Sequence, residues 1–217
     1  MHITVQNLAG QAGDELIFHQ LSFDLKPQKC LQVTGANGVG KSTLLRIIAG
    51  LRPPACGYIH ATKEGETHPL ASICHYISVE NTMKGSLNTL ENLRFWARFL
   101  EVPAANAQNI LNAMDLAPLA DLPFRALSTG QKRRLGLARL LLAYRPLWIL
   151  DEPTSGLDTK ATTFFGTILK AHLSQGGMAL IASHIALPFT PHDYINLHGF
   201  APHAAEEGDG DASDFLA

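Results

Sequence analysis

Three short runs in this chain of 217 residues carry groups suited to handling a chain of phosphates. The first, Gly35-Ala36-Asn37-Gly38-Val39-Gly40-Lys41-Ser42-Thr43, fits the phosphate-loop pattern G-x-x-x-x-G-K-[ST] without a mismatch. Phosphates need many donors converging on them, and Gly35, Gly38 and Gly40 let backbone N–H groups approach where a side chain would intrude. Lys41 adds a point charge for the outer phosphates, and the Ser42 hydroxyl can join a Mg²⁺ shell. In the second run, Asp151 can hold that Mg²⁺ opposite Ser42, and Glu152 beside it can orient and partly deprotonate a water attacking the terminal phosphate. The third, Leu127-Ser128-Thr129-Gly130-Gln131, is a small-residue turn opening an Arg-rich helix; its amides and the Ser128 hydroxyl suit a second phosphate contact. Spacing leaves open whose phosphate that is.

The elements that must position these groups follow from periodicity. Residues 30–34 alternate as a strand before the phosphate loop, and residues 43–49 read as a helix closed by Gly50. The helix turns its free amides and positive dipole end toward the loop. Residues 3–7 and 21–25 alternate like strands joined by a turn over 10–14, and with 30–34 they form an expected antiparallel flank. A short strand is expected at 58–61, a polar loop at 62–69 and another strand at 75–79. Residues 86–135 turn helical: Leu90, Leu93, Ala97 and Leu100 share one stripe, broadened by Phe95, Trp96 and Phe99 as packing residues, and a second helix is expected over 104–114. The apolar run 147–150 ends at Asp151 as a strand buried on both faces should, followed by a helix over 159–175 and a second buried strand over 178–182. The expected fold is α/β: a P-loop NTPase core with a mainly parallel sheet, an antiparallel β flank and an inserted helical subdomain at about 86–135. One domain should span 1–200, leaving 201–217 as an acidic, solvated tail.

Composition sets the outer limits. The chain is 46% hydrophobic and 17% charged, as an ordinary globular protein is, and its length allows roughly 70% of the unfolded surface to be buried. A net charge of -2 argues against a protein that coats nucleic acid. Cys30, Cys56 and Cys74 have no C-x-x-C spacing, so neither a disulfide framework, a zinc site nor covalent haem attachment is indicated, and a reducing compartment is expected. Residues 1–6 lack the features of a signal peptide, and Arg134 and Arg139 interrupt the longest apolar candidate for a membrane span.

Taken in order, the phosphate loop, the turn 127–131, the acidic strand 147–152, the run Ser155-Gly156-Leu157-Asp158 and a lone His184 after the last buried strand resemble the ATP-binding-cassette family along nearly the whole chain. The resemblance implies ATP with Mg²⁺ as ligands and a head-to-tail homodimer. In it Ser128 and Gly130, with Gln131 in the same turn, close over the γ-phosphate held by the phosphate loop of a second copy. It implies Glu152 as the catalytic carboxylate, His184 as the γ-phosphate contact that aligns it, and Asp158 in a loop communicating across the dimer. Two positions depart from the family pattern. Glu80 stands where a metal-contacting glutamine is usual, and no clear aromatic near residues 9–13 can stack on adenine, Phe18 being a poor substitute by position.

Within the family, the short length, Thr89-Leu90-Glu91-Asn92-Leu93-Arg94-Phe95-Trp96 and Leu147-Trp148-Ile149-Leu150-Asp151-Glu152-Pro153 are similar to the ATPase subunit of the cytochrome c maturation haem exporter. That implies an ATP-driven motor, peripheral on the cytoplasmic face of the inner membrane and coupled to separate membrane subunits through residues 81–96. The alternatives are the ATPase of another small-cargo exporter or a soluble mechanical switch, though the chain has neither a second cassette nor a long coiled coil. A phosphate-loop kinase or GTPase would leave the turn 127–131 unexplained and lacks a guanine-reading Asn-Lys-x-Asp.

Overall fold

Alternation of buried and less buried side chains over residues 2–5 and 21–25 sets up the first two strands, β1 (His2–Ala12) and β2 (Glu15–Leu25), which pair antiparallel with register shifts where Asn7 and Gln20 take positive φ. The turn expected over residues 10–14 shrinks to Gly13-Asp14, because β1 continues through Gly10 opposite Phe18. A Cβ on Gly10 would lie 2.4 Å from the Phe18 ring, so glycine lets the strand stay paired over that side chain. The computed structural model describes residues 1–80 and 82–202. From residue 203 onward the expected acidic tail lies outside them.

β3 (Cys30–Thr34) leads into the phosphate loop and α1 (Lys41–Ile48). β4 (Cys56–Lys63) then pairs with β1, and the segment 62–69 expected to be a polar loop is instead a hairpin with β5 (Glu66–His68). Glu64 and Gly65 both have positive φ (54° and 86°), as a two-residue turn matching the strand twist requires. A polar composition hid this strand, which lies at the sheet edge and so needs no apolar face.

After α2 (Leu70–Ile73) and β6 (Cys74–Ile77) come the helices α3 (Thr89–Phe99), α4 (Ala107–Ala113) and α5 (Thr129–Ala138). Asn88 caps α3 with a reciprocal box: its side chain accepts from the Glu91 N–H at 2.7 Å, and the Glu91 carboxylate accepts from the Asn88 N–H at 2.8 Å. β7 (Leu147–Asp151), α6 (Thr159–Ser174), β8 (Met178–Ala182) and β9 (Asp193–Asn196) follow, with a 3-10 turn over Leu197–Phe200 after them.

The strands form two sheets: an antiparallel one in the order β2-β1-β4-β5 and a parallel one in the order β6-β7-β8-β3-β9. β3 therefore lies inside the parallel sheet and not in the antiparallel flank, a correction to the sequence-based expectation. Strand β9 was not anticipated, since Asp193, Tyr194 and Asn196 are exposed and leave no apolar pattern.

Side chains of the parallel sheet alternate between two cores. Leu147, Ile149, Met178 and Leu180 join α1 and the antiparallel sheet on one face. Trp148, Leu150, Ala179 and Ile181 meet α4, α5 and α6 on the other. The α1 helix is thus held between two sheets, which fixes where its N-terminus points.

Candidate active site

β3 delivers the chain to Gly35, where φ is 138° and a Cβ would meet the Val39 side chain at 2.9 Å. Gly40, at φ 103°, starts α1 with no side-chain cap, so the first amides of that helix face the loop unclaimed by a capping side chain. Lys41, buried, donates from Nζ to the carbonyls of Gly35 at 2.8 Å and Ala36 at 2.9 Å, curling back against its own loop. These contacts tie the start of the loop to the first residue of α1.

The acidic side of the site comes from the C-terminal ends of β7 and β8, which pair in register with Asp151 opposite Ala182. Asp151 is 3% exposed, and burial pushes its carboxyl above the usual carboxylate range. The neighbouring Ser42 hydroxyl opposes that shift, as do the charges of Arg46 and Arg133, whereas Glu152 adds to it. A buried carboxylate beside a serine hydroxyl is a pair of hard oxygen donors, which fits Mg²⁺.

Glu152 adopts the left-handed conformation, φ 47°, and its N–H donates to the Ala182 carbonyl at 2.8 Å. Its carboxylate Oε1 lies 2.8 Å from His184 Nδ1 and accepts from the His184 N–H at 3.1 Å. The carboxylate is largely shielded, with the side chain 12% exposed, while His184 is 54% exposed at the mouth. Adjacency of β7 and β8 therefore brings together two residues separated by the whole of α6.

These groups line one cleft of about 310 Å³, with Asn37, Gly38 and residues 40–43 on one side, Asp151, Glu152 and His184 on the other, and Val79 at the rim. Glu80 is exposed and does not line it, although its carbonyl accepts from the Ser78 hydroxyl at 2.5 Å. Phe18 is fully buried beneath Gly10 and Gly40 and so presents no ring to a base.

The turn 127–131 lies apart. Ser128 caps α5, its hydroxyl accepting from the Gln131 N–H at 3.3 Å while the Gln131 side chain accepts from the Ser128 N–H at 2.8 Å. With Gly130, Gly156 and Asp158 these residues line a second cleft of about 240 Å³ that contains no residue of the phosphate loop. A Cβ on Gly130 would sit 2.8 Å from the Gly156 carbonyl, so glycine permits the close approach of the turn to residues 155–158. Asp158 itself caps α6, accepting from the Ala161 N–H at 2.7 Å.

Sequence reasoning missed Arg133, which is 4% exposed and donates to the carbonyls of Ser78, Asp151, Glu152 and Pro153. Its only signal was position, on the stripe it shares with the buried Leu137 and Leu140.

The family model described as "ABC transporter" matches residues 18–155, more than half of the chain. The chain belongs to the ABC transporter family. It is 44% identical over 202 residues to the cytochrome c biogenesis ATP-binding export protein CcmA of Bartonella henselae, with 93% of this chain and 97% of that protein covered. The CcmA of Brucella abortus is 46% identical over 187 residues, covering 86% of this chain and 87% of that one. An ABC transporter ATP-binding protein from Pyrococcus furiosus superposes with a TM-score of 0.79 at 21% identity, covering 93% of this chain and 100% of that one. A dimeric post-hydrolysis ATP-binding cassette bound to ADP and Pi superposes with a TM-score of 0.74 at 23% identity, covering 84% and 88%. The last two establish the fold of a cassette ATPase domain, an α/β core with one parallel and one antiparallel sheet. As a member of the family the chain is an ATPase subunit, and no helix among the described residues is long and apolar enough to cross a membrane.

Proposed function

We propose that this chain is the ATP-hydrolysing motor of the exporter serving cytochrome c biogenesis, working as a head-to-tail pair beneath separate integral-membrane subunits on the cytoplasmic face of the inner membrane. The observation that carries the pairing is the separation of the two clefts. The phosphate loop, Asp151, Glu152 and His184 share one, and Ser128 and Gly130 lie in the other. A turn built to contact phosphate, yet remote from its own phosphate loop, fits a site completed by a second copy.

In this reading, loop amides from residues 35–43 and the Lys41 ammonium bind the β- and γ-phosphates of ATP. Ser42 and Asp151 would hold Mg²⁺, which would supply charge neutralisation for the phosphates. Glu152 accepts the proton of the attacking water, and His184, 2.8 Å from its carboxylate, keeps that group oriented and reaches the γ-phosphate from the rim. Ser128, Gly130 and Gln131 of the partner close the site, and loss of the γ-phosphate releases them. Glu80, exposed beside Val79, is proposed as a further oxygen donor that would serve Mg²⁺.

Coupling to the membrane subunits is assigned to residues 82–96, with residue 81 outside the described residues. Phe99 at 67% and Val79 at 54% exposure flank this segment with apolar surface, and Arg94 and Arg98 stand exposed on α3. The CcmA relatives, named for export in cytochrome c biogenesis, support that exporter class, and haem as its cargo is carried over from the resemblance alone.

The test uses the full-length chain carrying Glu152→Gln. With Mg-ATP it should elute as a dimer by light scattering and with ADP as a monomer, and tagged chain drawn from membranes should bring integral-membrane subunits with it. A chain that stays monomeric with ATP even beside those subunits refutes the pairing. Recovery with ribosomes in place of membrane proteins refutes the exporter assignment.

A further inference from the structure

We propose that Arg133 is a positioning residue for hydrolysis: from the helix that presents the Ser128 turn, it grips the backbone of the acidic turn and so fixes where the Glu152 carboxylate sits. This rests on the reading of Glu152 as the proton acceptor given above.

The geometry is specific to a guanidinium. Nε donates to the Pro153 carbonyl at 3.2 Å and Nη1 to the Ser78 carbonyl at 2.6 Å, while Nη2 is shared by the carbonyls of Asp151 and Glu152. Three consecutive residues of the acidic turn thus point their carbonyls at one planar group, and the fourth acceptor comes from the chain just after β6. Among the described residues no carboxylate lies within ion-pair distance of Arg133, so carbonyl dipoles satisfy this buried cation.

The grip matters because Glu152 is held in a conformation that a side-chain-bearing residue avoids, φ 47°. Its N–H is fixed by Ala182 and its carbonyl by Arg133, so both flanking peptide planes are pinned. With those planes set, the Cα–Cβ bond can aim in only one direction, toward His184. Arg133 also stands five positions after Ser128 on the same helix, so displacement of the Ser128 turn by a partner's nucleotide would pull on the acidic turn of its own site. Lysine, with three donors on a single nitrogen, cannot serve all four of these carbonyls.

The experiment compares Arg133→Lys, Arg133→Gln, Glu152→Gln and the Arg133→Lys/Glu152→Gln pair, each in the full-length chain within the assembly it purifies with. Expected are a fall in kcat of about 10-fold or more for Arg133→Lys and more for Arg133→Gln, with KM and ATP affinity within about 3-fold, as misplacement of a catalytic group predicts. Deuterium exchange should rise in the peptide 147–156. In the pair, Arg133→Lys should add less than about 2-fold to the loss from Glu152→Gln, because a residue acting through Glu152 has nothing left to position. The proposal is overturned if KM rises in step with the fall in kcat, if the two losses multiply, or if neither Arg133 variant folds. Normal turnover in Glu152→Gln alone would instead sink the reading of Glu152, and the proposal with it.

Discussion

Replacing Glu152 with glutamine tests the chemistry most directly, because it changes one proton-accepting group and almost no volume. The side chain is 12% exposed, and the new amide oxygen can still accept from the His184 N–H, now 3.1 Å from Oε1. What disappears is the negative charge facing His184 Nδ1 at 2.8 Å and the capacity to take a proton from water. With His184 54% exposed, solvent screens the lost pair, and the cost in stability should stay within ~1 kcal/mol. Loss of a general base costs ~10²- to 10⁴-fold in rate, or about 3–5 kcal/mol of barrier, so the effect on turnover outweighs any effect on folding. In the proposed site phosphate binding runs through the loop 35–43 and Lys41, whose bonds go to Gly35 and Ala36 and not to Glu152. Affinity for ATP should therefore hold or improve as a negative charge leaves the cleft. Phosphate release at saturating Mg-ATP gives kcat, and equilibrium titration with a fluorescent ATP analogue gives the affinity. A kcat within about 5-fold of the parent chain, or a loss of binding equal to the loss of rate, would refute the assignment.

Gly130→Ala places a Cβ 2.8 Å from the Gly156 carbonyl and should weaken ATP-driven pairing by about 10-fold or more while nucleotide binding to the single chain is unchanged. Light scattering across a concentration series decides it, and undiminished pairing would contradict the close-approach argument. Arg94→Glu, on the exposed face of α3, should abolish co-purification with membrane subunits without altering ATP affinity; intact co-purification would move the coupling surface elsewhere. His75 and His172 are buried, and burial pulls both down to about 4. Because these values lie below that of a free imidazole, their stabilising contribution is complete above about pH 6.5 and is lost as pH falls toward 4, by up to roughly 3 kcal/mol each. Urea midpoints at pH 7 and 4.5 should differ accordingly, and His172→Gln should flatten the dependence; identical slopes in both chains would refute the burial argument.

Much of the chemistry is local and therefore legible in the chain itself. The phosphate loop needs glycines because backbone must approach phosphate, and the need is written into nine consecutive residues. The buried strands β7 and β8 showed as unbroken apolar runs because both their faces pack. Ser128 sits at a helix start because an N-cap is a local hydrogen-bonding demand, met by Gln131 three positions on. Elements at sheet edges escaped notice: β5 and β9 are polar, since pairing through one side to a finished sheet asks little of side-chain hydrophobicity.

The rest depended on which strands became neighbours. Placing β3 beside β8 in the parallel sheet, and not in the antiparallel flank, is a long-range pairing that alternation within residues 30–34 cannot specify. Only the adjacency of β7 and β8 sets His184 on Glu152 across 32 positions of sequence. The chain likewise offers Arg133, Arg134 and Arg139 as similar charges on one helical stretch, and packing alone decides that the first turns inward onto the acidic turn. Local chemistry thus names the groups proposed to meet a phosphate, while the meeting of Glu152 with His184 and Arg133 is a property of strand order, because hydrogen-bond ladders and apolar faces bring distant residues together without leaving any periodic trace between them.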